Sequence, residues 1–274
     1  MFQSSNPTLR AFERIQAPSY QDLASGVGGA ATAEARRDVM TVAGTAVKTG
    51  FLLAICCVTA VLSFGMFQGA VQGTSPANIG PWFWGSFVGG LVLGLIISFR
   101  PRSAPYLAPI YAAVQGVFIS GLTVFITTRF LSGVDTLVIF QAVTITLGIA
   151  VAMLIAYATG IFRPGRFLLG VFVAGATGIM LTYGLALLAS LLGFNIGFLH
   201  STIFGAGPIG IGFSAFCVVM ATLGMAFAFQ IVHRGVEQGA PREMEWYGAF
   251  AILVELIWLY IEVLRLIAKL RSNQ

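Results

Sequence analysis

Glu255 and Glu262 are the residues of this 274-residue chain whose placement most demands a chemical account. Of 15 basic and 10 acidic side chains, they alone fall inside the long apolar runs, and both lie in the last run. A charge at the centre of a bilayer costs ~2.5–3.5 kcal/mol on insertion scales. A carboxyl kept there either handles ions or protons, or is held neutral by hydrogen bonds inside the protein. At helical spacing Glu255, Trp258, Glu262 and Arg265 share one stripe. Arg265 follows Glu262 by three residues, the spacing of a structural ion pair that snorkels towards the interface. Glu255 has no such neighbour, so both readings stay open for it. Gln115, Gln141 (on one face with Thr144 and Gly148) and Gln230 are candidate partners. An amide both donates and accepts, and so can satisfy a carboxyl in either protonation state. Converging on Glu255, the three would form a polar path for ions or pH sensing; singly, each reads as glue between helices.

Other chemistries find little support. Cys56, Cys57 and Cys217 lie in apolar runs without disulfide or metal-ligand spacing. His200 and His233 fall outside the runs, so no zinc-binding pair forms, and neither a metal nor an organic cofactor is expected. Gly212-Phe213-Ser214 resembles a nucleophile turn, but the serine has no histidine base in any run. Lys48 and Lys269 sit at run ends, unlike the deep lysine of a retinal protein. The expectation is a protein that is not an enzyme. The net charge of +5 comes from basic residues placed singly at run ends, which suits membrane orientation and not nucleic-acid binding.

The elements that must position these residues follow from composition. The chain is 57% hydrophobic and 9% charged, against roughly 25% charged in soluble domains, and its mean hydropathy is +0.89. Seven apolar runs predict an all-α polytopic membrane protein in contact with the lipid bilayer. They lie at about 49–67, 82–99, 106–128, 136–158, 167–192, 209–232 and 247–264. They define a transmembrane domain over 46–271 behind a flexible, cytoplasmic tail at 1–45 that carries a short helix around Thr8–Ile15. No apolar core precedes residue 47, so no cleavable signal peptide is expected.

Stretches 68–81 and 193–208 contain no Lys or Arg, whereas Arg100/Arg102, Arg163/Arg166 and Arg234/Arg242 flank the alternate connections. Counted near span ends, nine basic residues fall on one face and four on the other, which predicts a cytoplasmic N-terminus in the inner (plasma) membrane. A re-entrant last run would make the ratio twelve to one; a full crossing is expected because the run is long enough to span. Gly85-x-x-x-Gly89, Gly90-x-x-x-Gly94 and the series Gly170, Ala174, Gly178 predict close helix packing. Trp82, Trp84, Trp246 and Tyr247 mark interfaces.

The last third of the chain carries a resemblance. Gly235-Val236-Glu237-Gln238-Gly239-Ala240-Pro241, Met244-Glu245-Trp246-Tyr247-Gly248-Ala249-Phe250, and Trp258 through Leu266 closely resemble the bacterial branch of the Bax inhibitor/YccA-like membrane family. Met40-Thr41, Lys48-Thr49-Gly50, Pro105 to Pro109 with Tyr111-Ala112, Gly116-x-Phe118-Ile119-Ser120-Gly121, Gln141-Ala142 with Thr144, and Tyr157-Ala158-Thr159-Gly160 also fit, so the similarity runs from about 36 to 271. The resemblance implies seven helices with the C-terminal one central among the other six. It also implies a pH-sensitive calcium leak whose intramembrane carboxylates lie between the sixth and seventh helices. Other members are described as suppressors of cell death, and a bacterial relative associates with a membrane protease.

The chain departs from this pattern. Ala228-Phe229-Gln230 stands where the branch usually has acids, Gln115 where it usually has a glutamate, and Glu255 where it tends to be uncharged. Calcium prefers several anionic oxygens, which one glutamate with amides does not provide. Two functions therefore compete: a passive ion leak gated at Glu255, and a non-conducting regulator whose cytoplasmic tail 1–45 and loop 233–246 contact another membrane protein, a protease or stress-response partner.

Overall fold

The computed structural model describes residues 39–73, 80–131, 133–194 and 196–273. Residues 1–38, with the expected flexible stretch and the helix around Thr8–Ile15, lie outside the described residues.

Eight α-helices form among the described residues: α1 Val42–Val71, α2 Gly80–Phe99, α3 Ala104–Leu131, α4 Thr136–Ala158, α5 Arg166–Leu191, α6 Gly197–Phe204, α7 Pro208–Glu237 and α8 Met244–Arg271. Most extend past the expected apolar runs. The run measures the hydrocarbon layer, whereas a helix continues into the interface until a cap stops it. Thr41 caps α1, its hydroxyl accepting from the Gly44 amide, and Asp135 caps α4 by accepting from the amides of Leu137 and Val138. Helix α6 lies in a stretch read from the sequence as a connection; eight residues are too few to show a helical period.

Six of these helices (α1 to α5 and α7) are long and apolar enough to cross a membrane. The seventh crossing, α8, is less apolar because it carries Glu255, Glu262, Arg265 and Lys269, yet much of it is buried against other helices. It packs against α1, α3, α4 and α7. One core joins its Phe250, Leu253 and Ile257 to Leu52 of α1, Ile97 of α2 and Tyr111 of α3. Further along, Leu259 and Leu264 meet Ile126 of α3, Val138 of α4 and Ala221 of α7. A helix buried all round by protein can carry polar groups that lipid would not accept.

Helix α8 is uninterrupted over 28 residues, about 42 Å at 1.5 Å per residue. Its first turn is tied to Thr41 and Lys48. At its far end Arg271 bonds Asp135, Lys269 donates to the Gly210 and Thr202 carbonyls, and Asn273 donates to that of Ala206. The helix thus runs from one end of the bundle to the other, and the re-entrant alternative is not adopted.

The Gly-Val-Glu-Gln-Gly-Ala-Pro block gains a physical meaning here. Gly239, at φ 61°, closes α7: its amide bonds the Val236 carbonyl and the Ala240 amide bonds that of Gly235. This is the paired C-terminal closure that needs a left-handed residue, and Pro241 then prevents continuation. The freed Ala240 carbonyl accepts from the Met40 amide at 2.7 Å, and Val39 bridges Pro241.

Small residues set the helix approaches unevenly. A Cβ on Gly116 of α3 would fall on Thr59 Oγ1 and the Cys56 carbonyl of α1, so these two backbones are nearly in contact. Gly116→Leu should force α1 and α3 apart and lower stability by ~2–3 kcal/mol, towards the upper end for overpacking, read as a lower thermal midpoint in detergent. On α2, Gly89, Gly90 and Gly94 face Val114, Gln115 and Tyr111 of α3. Gly85 and the α5 series correct the expectation: a Cβ added at Gly85, Gly170 or Gly178 would meet nothing within 4 Å among the described residues outside its own helix backbone, so these positions do not pack inside the bundle.

Candidate functional site: an intramembrane carboxyl in a lateral cavity

A cavity of about 540 Å³ lies among α2, α3, α5, α7 and α8. Its walls include Phe87, Phe118, Phe172, Phe227 and Phe250, and its polar lining comes mainly from Ser98, Tyr111, Gln115, Tyr247 and Glu255. Glu255 is the only charged side chain lining it among the described residues. Helix α7 makes room for the carboxyl with Gly224, where any Cβ would overlap it. Gly90 of α2 lies against the Gln115 amide in the same way, with a Cβ falling 3.3 Å from its oxygen. Glu255 Oε2 is enclosed and has no hydrogen-bond partner among the described residues. Gln115 donates through Nε2 to the Tyr111 hydroxyl at 2.8 Å, while its enclosed Oε1 has no donor among the described residues.

Of the three amides expected beside Glu255, the structure brings only Gln115 to its cavity. Gln230 donates to the Pro164 carbonyl at 3.1 Å, holding the α4–α5 connection against α7. Gln141 accepts from Arg271 at 3.1 Å, at the far end of α8. Both are corrections with one cause. Position along a helix is legible in a sequence, but the face a side chain turns to its neighbours depends on how the helices rotate in the bundle.

Glu262 and Arg265 do pair, at 2.9 Å, but they do not snorkel. The Glu262 side chain is 2% exposed and that of Arg265 13%. Arg265 Nη1 reaches both carboxylate oxygens, the Tyr183 hydroxyl of α5 donates to Oε1 at 3.2 Å, and Arg265 also bonds that hydroxyl. Tyr183, 79 residues upstream, carries no local signal that would have announced this triad.

A third polar cluster, also unforeseen, lies at the start of α8, ahead of the apolar run. Glu245, 2% exposed, meets Lys48 Nζ at 2.5 Å and accepts from the Thr41 amide and hydroxyl at 2.9 and 2.8 Å. Burial alone would raise this carboxyl's pKa; the bonds from Lys48 and Thr41 outweigh it and hold it below the usual carboxylate range. Gly44 is open for this contact, since a Cβ there would fall on the carboxylate. The sequence signal was present in Lys48 and Glu245, both in motifs noted for resemblance, but nothing local joined them.

Ser214, the one serine with a nucleophile-like context, is buried, and its hydroxyl has no partner among the described residues.

A charged helix packed among four apolar spans, with an acid facing a cavity, defines a polytopic membrane protein built around its last span. The chain belongs to the Bax inhibitor 1 like family, whose model matches residues 6–272. No curated protein and no solved structure matches it.

Proposed function

We propose that this protein is a passive ion leak in which Glu255 is the titratable group that sets conduction. One observation carries the reading: a carboxyl whose Oε2 has no hydrogen-bond partner among the described residues lines a cavity of about 540 Å³ within the membrane-spanning bundle. The other titratable groups of that cavity are Tyr111 of α3 and Tyr247 of α8; the lining residues from α2, α5 and α7 contribute none. A proton exchanging at Glu255 therefore changes the local charge with no fixed counter-charge beside it. Protons or monovalent cations suit the site better than calcium, which takes six to eight oxygen ligands. The reading assigns the protein no catalytic reaction and no cofactor. It places the chain in the inner (plasma) membrane with a cytoplasmic N-terminus, on the strength of the basic residues at alternate span ends.

In proteoliposomes, proton flux through the wild type should vary with pH, and Glu255→Gln should flatten that dependence while Gln230→Leu leaves it in place. Flux in Glu255→Gln that follows the wild-type pH profile would refute the assignment. A second reading, a non-conducting regulator that binds another membrane protein, draws support from the exposed ridge of Gly170, Ala174 and Gly178 on α5. It requires no flux at any pH, and a co-purifying membrane partner lost on Gly170→Ile.

A further inference from the structure

Two oxygens on side chains lining one cavity, Glu255 Oε2 and Gln115 Oε1, are enclosed and lack a donor among the described residues. Unpaired buried acceptors are costly, and a ligand bringing N–H groups and positive charge would satisfy both. The walls around them are largely aromatic, with Phe172 and Phe227 among them. Ring faces attract cations and accept hydrocarbon. At the rim, Leu91 of α2 is 55% exposed and Leu169 of α5 45% exposed on the outer surface of the bundle, so the cavity is reached from the lipid side. Its volume lies within the range of small-molecule sites.

We propose that this cavity binds an amphiphilic primary amine in its ammonium form, the head between Glu255 and Gln115 and the hydrocarbon chain leading out between α2 and α5. A phospholipid ammonium fits less well, because its phosphate would need a basic partner and no Lys or Arg lines the cavity among the described residues. The inference rests on Glu255 as the working group of the site. It is read by binding without any flux measurement, so the leak can fail while the amine site stands, and the reverse.

The test uses the full chain in phosphatidylcholine nanodiscs at neutral pH, with radiolabelled decylamine as probe and empty discs as the partition control. Saturable binding at one site per chain is expected, weakened roughly tenfold or more by Glu255→Gln, the loss of one charge-assisted bond. Gly94→Leu, which fills the cavity from α2 without touching Glu255, should weaken binding comparably; thermal midpoints near wild type show that both variants are folded. Decanol and decyltrimethylammonium, which lack either the charge or the N–H donors, should compete poorly. The proposal is overturned by the absence of a saturable component, by undiminished binding in folded Glu255→Gln, or by decyltrimethylammonium competing as well as decylamine. Equal displacement by phosphatidylethanolamine discs would overturn it in favour of a lipid headgroup.

Discussion

Arg265→Met should be among the most destabilising single changes in the protein, costing about 3–5 kcal/mol as expected when a buried ion pair loses one partner. The reason is the asymmetry of the triad. Arg265 Nη1 holds both oxygens of a carboxylate that is 2% exposed, and Tyr183 supplies one further donor to it. Removing the guanidinium leaves the carboxylate enclosed with a single hydroxyl. It also loosens α5, because Tyr183 is that helix's bonded tie to α8. The double variant Arg265→Met with Glu262→Leu should recover much of the loss, since replacing a whole buried pair by apolar groups is often close to neutral. Denaturation midpoints of the two single variants and the double variant in detergent measure this. An additive double variant, twice as damaged as either single one, would show that the two side chains are not a coupled pair.

Lys48→Met should be the next largest, at about 3 kcal/mol, the low end for a buried pair, because two Thr41 donors still reach Glu245. Glu245→Leu should cost less, since Lys48 is 17% exposed and can turn its ammonium to water. The same cluster sets a pH dependence. Glu245 has a folded pKa below its ordinary 4.5, so its contribution is fully present above 4.5 and fades as pH falls towards the lowered value. Wild-type stability should therefore drop in that acid window more steeply than that of Glu245→Leu, as measured by thermal midpoints across pH. Parallel curves would remove Glu245 from the account.

The parts of this architecture that the residues announced are those governed by one dimension. Apolar runs located six helices because each must meet lipid along its own length, and Thr41, Asp135 and the glycine at 239 stop or start helices by local bonds. The seventh, α8, was legible as a run, although its central place came only through resemblance, since hydropathy does not rank spans by enclosure. Rotation about the helix axis was not legible at all. Gln115 and Gln230 are equally plausible neighbours of Glu255 by depth, yet one lines its cavity and the other bonds Pro164. The small-residue ridges show the same limit: Gly90 and Gly94 pack on α3, whereas Gly170 and Gly178 face away from the chain. Tyr183 and Glu245 were missed because their partners lie 79 and 197 residues away.

A Glu255 carboxyl that exchanges a proton within the bundle should be visible by infrared difference spectroscopy of the reconstituted protein during a pH jump. A carboxylic C=O band that rises and falls with pH, disappears in Glu255→Gln and persists in Glu245→Gln is the predicted result. A titrating band that survives Glu255→Gln unchanged, or no titrating band in the wild type, would contradict it.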